Sequence, residues 1–233
     1  MLANRLIGLS RGDPYWNNVV ALLHMDGADG STTFTDEKGH TFTAVGNAQL
    51  DTAQFKFGTA SLLCDGSGDG ITTSDSADWE FAGGDFTVEA WLRFNSVADC
   101  HIVSRAADGT GAGSWILFRR LNVLEFYYTT DGTLSTARRA QGGTWSASAG
   151  VWYHVAASRS GANLRLFIDG VQTGTTFNAG TDVIADTAQP LRLGISPDGI
   201  KSVNGWIDDS RITKGVARYT SSFTPPSAPF PNG

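Results

Sequence analysis

Gly-Gly-Asp-Phe-Thr-Val-Glu-Ala-Trp-Leu-Arg-Phe, residues 83–94, is the stretch that decides the fold class. Apolar side chains recur at every second position from Phe86 to Phe94, which is the pattern of a β-strand with one buried face. The positions between them include Glu89, Trp91 and Arg93. This second face therefore either lines a groove or lies beneath another layer of chain.

Short apolar runs separated by turn sequences continue on both sides of this strand. Asp-Gly pairs at 65–66, 69–70, 131–132 and 169–170 are strong turn signals, and no segment shows a sustained helical period. Many short strands at regular spacing predict an all-β sandwich or jelly roll. We predict strands at 19–25, 41–45, 60–64, 71–73, 100–105, 115–119, 123–129, 151–159, 163–168, 171–176, 190–195 and 205–213, with short β-like pieces at Phe34 and Phe55.

The 233 residues fit a single domain with two extended ends. We expect an N-terminal arm at 1–14, a domain at 15–220 and a proline-rich C-terminal tail at 221–233, because proline is excluded from central strands. The net charge of -6 and the scattered Lys and Arg argue against nucleic acid and anionic membranes as partners. No apolar run reaches the ~20 residues that span a bilayer, and the N-terminus lacks the pattern of a signal peptide.

Cys64 and Cys100 each share the inward phase of a predicted strand, with Leu62 and Ile102 respectively. Two buried thiols that pack as small apolar groups are the first interpretation, and a single disulfide is the second. A reactive thiol is the third, but no local cation or helix N-terminus is evident that would lower its pKa.

Four motifs together resemble the laminin-G-like, concanavalin A-like lectin/glucanase superfamily. They are Gly-Asp-Phe-Thr-Val-Glu-Ala-Trp at 84–91, Trp-Tyr-His-Val-Ala at 152–156, Leu-Arg-Leu-Phe-Ile-Asp-Gly at 164–170 and Gly-Trp-Ile-Asp-Asp-Ser-Arg-Ile at 205–212. The order and spacing match across 19–213. The resemblance implies an antiparallel two-sheet jelly-roll sandwich, with 15–220 as the laminin-G-like domain.

The closing run 211–219 and the Phe-Thr-Pro-Pro at 223–226 resemble the ending of such domains in tailed bacteriophages. This resemblance implies a virion protein, of a tail fibre or capsid surface, that leaves the cell by lysis without a signal peptide. It also implies bacterial surface polysaccharide or glycoconjugate and other virion proteins as partners. Homo-oligomerisation is an expectation from the same context.

Members of the superfamily that hydrolyse glycans carry paired carboxylates, and we expect no enzyme here because that pair is missing. Glu37, Glu80, Glu89 and Glu125 are the only Glu residues, and no two of them share a predicted strand. A divergent glycoside hydrolase that uses Glu89 is the weaker alternative. The four histidines show no metal-ligand spacing, and no serine-nucleophile motif is present.

Calcium is a candidate cofactor because related lectin-like folds use it and oxygen ligands cluster in this chain. Asp65, Ser67, Asp69 and Gly70 match four positions of an EF-hand loop, but Ser76 stands where a bidentate Glu is expected. Asp26 and Asp208 are further candidates, since the terminal strands are expected to be neighbours. Turn capping by the Asp side chains is the alternative explanation for all four carboxylates.

Aromatic faces flanked by polar groups are what a glycan-binding surface requires. The candidates are Glu89, Trp91, Trp115, Tyr127, Trp145 and Trp206. Packing in the core is the competing role of each aromatic residue. We therefore expect a non-catalytic lectin-like module, with a virion structural or decoration protein that docks through its arm and tail as the alternative.

Overall fold

The computed structural model describes residues 12–106 and 111–233 of the chain. In these ranges the chain forms sixteen strands and three short 3-10 helices, which confirms the all-β prediction. The helices are Trp16–Asn18, Ala77–Trp79 and Leu134–Thr136. The strands are β1 (Val19–Leu23), β2 (Thr33–Thr35), β3 (Thr41–Val45), β4 (Gln49–Asp51), β5 (Ser61–Asp65), β6 (Gly70–Thr73), β7 (Phe86–Phe94), β8 (Cys100–Ala106), β9 (Gly113–Arg120), β10 (Val123–Tyr128), β11 (Arg138–Thr144), β12 (Trp152–Ser160), β13 (Asn163–Ile168), β14 (Val171–Asn178), β15 (Leu191–Leu193) and β16 (Asn204–Lys214).

The strands form two antiparallel sheets of eight strands each, packed as a jelly-roll sandwich. Sheet A has the order β14-β13-β12-β7-β16-β5-β4, and β1 also pairs with β16. Sheet B has the order β11-β10-β9-β8-β15-β6-β3-β2. The predicted central strand, β7, lies between β12 and β16 in the middle of sheet A.

One apolar core fills the space between the two sheets. Phe86, Val88, Ala90, Leu92 and Phe94 of β7 all face it, as their period-two spacing predicts. Sheet B contributes the alternating inward residues of β9 and β10. Burial of so many large apolar side chains, at roughly 1.5–3 kcal/mol each, is the main term that stabilises the sandwich.

Cys64 and Cys100 are both free thiols in this core. The interpretation of two buried thiols is therefore confirmed, and the disulfide alternative is wrong.

The strand predictions need correction at three places, of which the first is the short strand β4 (Gln49–Asp51), which was not predicted. Phe55 lies in an irregular loop between β4 and β5, where it is half exposed, and not in a strand. The strand β11 was not predicted, because its sequence Arg-Arg-Ala-Gln-Gly-Gly-Thr forms a largely exposed edge with no apolar alternation.

The C-terminal tail is part of the domain surface and does not project from it. Phe230 is buried with Val19 and Leu22, and its backbone N–H donates to Asp209 Oδ2 at 2.6 Å. Asn232 accepts from the backbone N–H of Asp13 at 2.9 Å, which joins the two ends of the described chain. The tail thus lies across the outer face of sheet A without entering the sheet, as its prolines require. Residues 1–11 of the predicted arm lie outside the described residues.

Candidate functional site

The outer face of sheet A holds Glu89 in a buried ionic network. Arg211 donates to Glu89 Oε1 from Nε at 2.9 Å and from Nη2 at 2.7 Å. Tyr219 donates its hydroxyl to Oε2 at 2.7 Å, and His154 Nε2 lies 3.1 Å from the same oxygen. Burial disfavours the charged carboxylate, but Arg211 and His154 outweigh that effect, so the pKa of Glu89 falls to about 2.

Aromatic residues near the C-terminus lie over this network. Tyr219 stacks on Phe223, and both make edge contacts with Phe167 of β13. The two possibilities left open by the β7 pattern are therefore decided: this face lies beneath another layer of chain. Glu89 is completely buried, so a ligand cannot reach it.

Two of the predicted aromatic ligands lie in the core between the sheets. Trp115 stacks on Phe81 with ring centroids 5.0 Å apart, and its indole N–H donates to the Trp79 carbonyl. Trp145 packs against Phe94 and Tyr153. Because both side chains are buried, the structure corrects their assignment to a ligand surface.

Trp91 and Trp206 lie on the outer face of sheet A, away from sheet B. Trp91 is buried beneath Lys56, whose ammonium lies 4.0 Å from the indole centroid. Trp206 is half-buried, donates its indole N–H to Asp51 at 2.6 Å and lies beneath the Arg93 guanidinium. Trp91 is therefore also out of reach, while one part of Trp206 remains exposed.

Tyr127 is the one predicted ligand residue on the outer face of sheet B. There it packs edge-on against Phe118, with ring centroids 4.7 Å apart, beside Ile116 and Ala106. Arg120 and Arg139 both donate to its hydroxyl, at 2.7 and 3.3 Å. All of these residues except Arg139, which stands beside Tyr127, line a surface cleft of about 230 Å³, here called the aromatic cleft.

Strand register assembles the aromatic cleft from neighbouring strands. His101 of β8 pairs with Phe118 of β9, which pairs with Glu125 of β10. On the same face, Ile116 of β9 pairs with Tyr127, which pairs with Arg139 of β11. The loop after β15 supplies the opposite rim, with Ser196, Pro197, Asp198 and Lys201.

A second, larger cleft of about 530 Å³ adjoins the aromatic cleft on the same face. Thr41, Thr43 and Thr72 lie on paired strands and point outward, and Arg192 of β15 lines the same cleft together with apolar residues such as Val45 and Ile195. We call it the threonine cleft. Ser196 and Pro197 line both clefts, so the two form one depression across sheet B.

Two titratable groups, His101 in the aromatic cleft and Glu125 beside it, have shifted pKa values. Burial, with a smaller contribution from Lys201, lowers the pKa of His101 to about 4, so its imidazole is neutral at pH 7. Its Nδ1 is buried and has no hydrogen-bond partner in the structure. Burial also raises the pKa of Glu125, although Arg120 and Arg139 oppose that shift.

Asp65 and Asp69, two of the predicted calcium ligands, cap a turn. Asp69 accepts from the backbone N–H groups of Asn47 and Asp65, and Asp65 accepts from the N–H of Ser67 and the amide of Asn47. All four carboxylate oxygens thus already accept from N–H donors. The turn-capping alternative accounts for this pair.

Asp26 and Asp208 are brought to one loop, 56–59. Asp26 Oδ1 accepts from the N–H and hydroxyl of Thr59, while Asp208 Oδ2 accepts from the N–H groups of Lys56 and Phe57. The other oxygen of Asp208 is buried without a partner, and burial raises the pKa of this carboxyl to about 7. Across 12–106 and 111–233, no three His, Cys, Asp or Glu side chains are grouped as metal ligands.

The sequence analysis missed most of the aromatic cleft. Phe118 and Ile116 belong to an apolar run, Trp-Ile-Leu-Phe, which looks the same whether one or both faces are covered. His101 and Lys201 come from segments 100 residues apart in the chain. The outward alternation of Ile116, Phe118 and Arg120 is the one signal that points to this face.

The family model for the concanavalin A-like lectin/glucanases superfamily (Laminin_G_3) matches residues 65–218. The chain belongs to this family. The match covers both clefts apart from β3, together with the Glu89 network from β7 to Arg218.

Parts of a receptor, an arabinanase and a neurotoxin are similar to this chain in sequence or in structure. A segment of adhesion G-protein coupled receptor V1 from Danio rerio is 28% identical over 134 residues, which is 54% of this chain and 2% of that receptor. Domain 4 of the arabinanase AbnA from Geobacillus stearothermophilus, solved with arabinotriose, has a TM-score of 0.66 at 19% identity over 86% of this chain and 94% of that one. The ligand-binding domain of botulinum neurotoxin serotype D, solved with N-acetylneuraminic acid, has a TM-score of 0.60 at 16% identity over 86% of this chain and 48% of that one. At these identities the solved structures establish a shared fold.

The helices within the described residues are too short and too polar to cross a membrane.

Proposed function

We propose that this concanavalin A-like domain is a non-catalytic lectin-like module that binds glycans on the outer face of sheet B. The observation that carries the proposal is the depression on that face, where Tyr127 and Phe118 lie beside Arg120, His101 and Lys201. The half-buried ring of Tyr127, packed on the buried Phe118 and flanked by polar groups, suits a sugar ring, which has apolar and hydroxyl-bearing surfaces. The arabinotriose and the N-acetylneuraminic acid in the arabinanase and neurotoxin structures support this ligand class.

Hydrolysis of the glycan is not part of the proposal. A retaining glycosidase needs two carboxyl groups about 5 Å apart. Glu89 is bound to Arg211 beneath other chain, and the cross-strand neighbours of Glu125 are Phe118 and Gln141, which carry no carboxyl group.

We also propose a bacteriophage virion as the setting of this domain. This proposal rests on the resemblance of 211–219 and 223–226 to phage-borne domains and predicts a bacterial surface polysaccharide or glycoconjugate as ligand. The alternative, a structural or decoration protein, has weaker support from the tail, because Phe230 already packs on its own domain. Deletion of residues 1–11, which leaves Asp13 in the Glu89 network, separates the two: a lectin keeps glycan binding when particle association is lost.

Calcium is a second proposal, now confined to Asp26 and Asp208. The two residues fit a cation in one respect: Asp208 keeps a buried carboxylate oxygen without a hydrogen-bond partner, and both side chains hold the same loop. A bound cation would stabilise the charged form of Asp208 and fasten loop 56–59 to the sheet.

The test of the main proposal is amide chemical-shift mapping of the purified full-length protein, after a screen of bacterial surface polysaccharides selects a bound glycan. We expect shift changes in β9, β10 and the loop 194–201, with β7 and β16 unchanged. Absence of binding across the screen, or shifts confined to sheet A, would contradict the proposal.

A further inference from the structure

The outer face of sheet B carries positive charge on a chain whose net charge is -6. Arg120 and Lys201 line the aromatic cleft, Arg139 stands beside Tyr127, and Arg192 lines the threonine cleft. Arg192 also donates to the Ala106 carbonyl at 2.8 Å, which holds it on this face. The three cations at and beside the aromatic cleft, Arg120, Arg139 and Lys201, favour an anionic ligand there.

The carboxylates near these cations offset them only in part. Glu125 is buried, and its Oε1 lies 3.6 Å from Arg139 Nη1, so this one carboxylate faces the two guanidinium groups of Arg120 and Arg139. Asp198 stays ionised, but it accepts from the Ser196 hydroxyl and the Ile200 N–H. Asp99 lies 3.8 Å from Arg119, which is a fifth cation outside the cleft lining. The guanidinium groups of Arg120 and Arg139 thus keep an excess of positive charge beside Tyr127.

His101 adds a neutral polar group at the bottom of the aromatic cleft. The imidazole lines the cleft and is 8% exposed, while its Nδ1 is buried without a hydrogen-bond partner. A sugar hydroxyl serves either tautomer of a neutral imidazole, because it both donates and accepts. The cleft therefore combines hydrogen bonding for a hydroxyl with cations for an acid group.

The two clefts extend this recognition along a chain of sugars. They share Ser196 and Pro197. Together they cross sheet B from β10 through β9, β8, β15 and β6 to β3. The hydroxyls of Thr41, Thr43 and Thr72 supply donors and acceptors in the second cleft.

We propose that the ligand is an acidic polysaccharide, with a carboxylate-bearing sugar at Arg120, Arg139 and Lys201 and neighbouring sugars in the threonine cleft. This inference rests on the proposed glycan-binding function and names its substrate class. The planar guanidinium fork matches a carboxylate, which is the acid group of uronic and sialic acids.

Calorimetric titration of the full-length protein tests it with matched ligand pairs. Alginate, polygalacturonate, hyaluronate and polysialic acid are each compared with their carboxyl-esterified or carboxyl-reduced form. We expect at least one acidic form to bind at least tenfold more tightly than its neutral form. The affinity of the acidic form should fall as the salt concentration rises from 50 to 500 mM, because salt screens the attraction between opposite charges. Affinity should also rise with oligosaccharide length.

Variants and controls separate the inference from the proposed function. Arg120→Gln and Lys201→Gln should each lower affinity for the acidic glycan about tenfold, while Arg93→Gln on sheet A leaves it unchanged. Equal binding of neutral and acidic forms overturns the inference and retains the lectin function. Absence of binding to every pair overturns the inference. Polyglutamate is an acidic polymer without sugars, and equal affinity for it overturns both the inference and the proposed lectin function. Preference for sulfated over carboxylated glycans refutes the carboxylate assignment.

Discussion

Arg211 and Glu89 form a buried ion pair in which two guanidinium nitrogens lie 2.9 and 2.7 Å from a single carboxylate oxygen. The pair joins β16 to β7, and Asp13 extends it by accepting from Arg211 and Arg218 at 3.0 and 2.6 Å. Tyr219 closes the network from above. The carboxylate that the sequence offers as a lone catalytic acid is thus a structural group that fastens the chain ends to sheet A.

Replacement of Glu89 by Gln should destabilise the protein strongly. The change leaves Arg211 buried with one of its two anionic partners missing, and breaking a buried pair in this way costs about 3–5 kcal/mol. Urea denaturation measures the free energy of unfolding. The matched control is Glu80→Gln, whose carboxylate is partly exposed 4.0 Å from Arg105 and should matter by less than about 1 kcal/mol. Equal effects of the two substitutions would contradict this role of Glu89.

The advantage of the wild type over Glu89→Gln should depend on pH. Folding lowers the pKa of Glu89 from 4.5 to about 2, so its stabilising contribution is complete above about pH 4.5. As pH falls through about 2, the carboxylate is protonated in the folded state also, and the contribution disappears. Unfolding free energies of both proteins from pH 7 to pH 2 measure the difference. A difference that stays constant over this range would refute the assigned pKa.

Phe230→Ala should release the tail from sheet A. The ring is buried with Val19 and Leu22, and the Arg211 guanidinium lies 3.8 Å from its centroid. Loss of a buried Phe costs about 3–5 kcal/mol. Limited proteolysis should then cleave within 221–233, while Phe55→Ala, at a half-exposed site, leaves the tail protected. Resistance of the Phe230 variant to cleavage would show that the tail is held by other contacts.

Calcium should raise the midpoint of thermal unfolding through Asp26 and Asp208. At a hundredfold excess over the dissociation constant the stabilisation is about 2.7 kcal/mol, or roughly 5–10 °C for a chain of this length. Asp208→Asn should abolish the increase, while Asp65→Asn, at a capped turn, should retain it. EDTA should reverse the effect in the wild type. A calcium response that survives in Asp208→Asn, or its absence in the wild type, would contradict the proposal.

The sequence pattern within single strands was enough to predict the sandwich. Most strands alternate apolar and polar residues, and a recognisable turn sequence follows them. The residues of β7 illustrate this: five apolar side chains at alternate positions face the core in the structure. The edge strand β11 escaped prediction because an exposed edge places little demand on its residue types.

The site was harder to predict. Alternation of residue types shows which side chains of a strand share a face, but it does not show whether other parts of the chain cover the second face. Trp91 and Tyr127 look alike in sequence, each an aromatic residue on a strand. The loop of Lys56 covers the first, whereas the second lies in a surface cleft. Only the fold of the tail and loops, which bring distant segments together, distinguishes the two faces.

The central claim is that glycans bind on sheet B through Tyr127 and not on sheet A through Trp206, the other partly exposed candidate. The most direct measurement is the affinity of Tyr127→Ala and Trp206→Ala for a glycan that the wild type binds, by calorimetry, with unfolding midpoints as a check of folding. We predict that Tyr127→Ala weakens binding about tenfold or more, since truncation of a central aromatic contact typically costs over 1 kcal/mol, and that Trp206→Ala leaves the affinity unchanged. Loss of binding in Trp206→Ala with full affinity in Tyr127→Ala would contradict the account and move the site to sheet A.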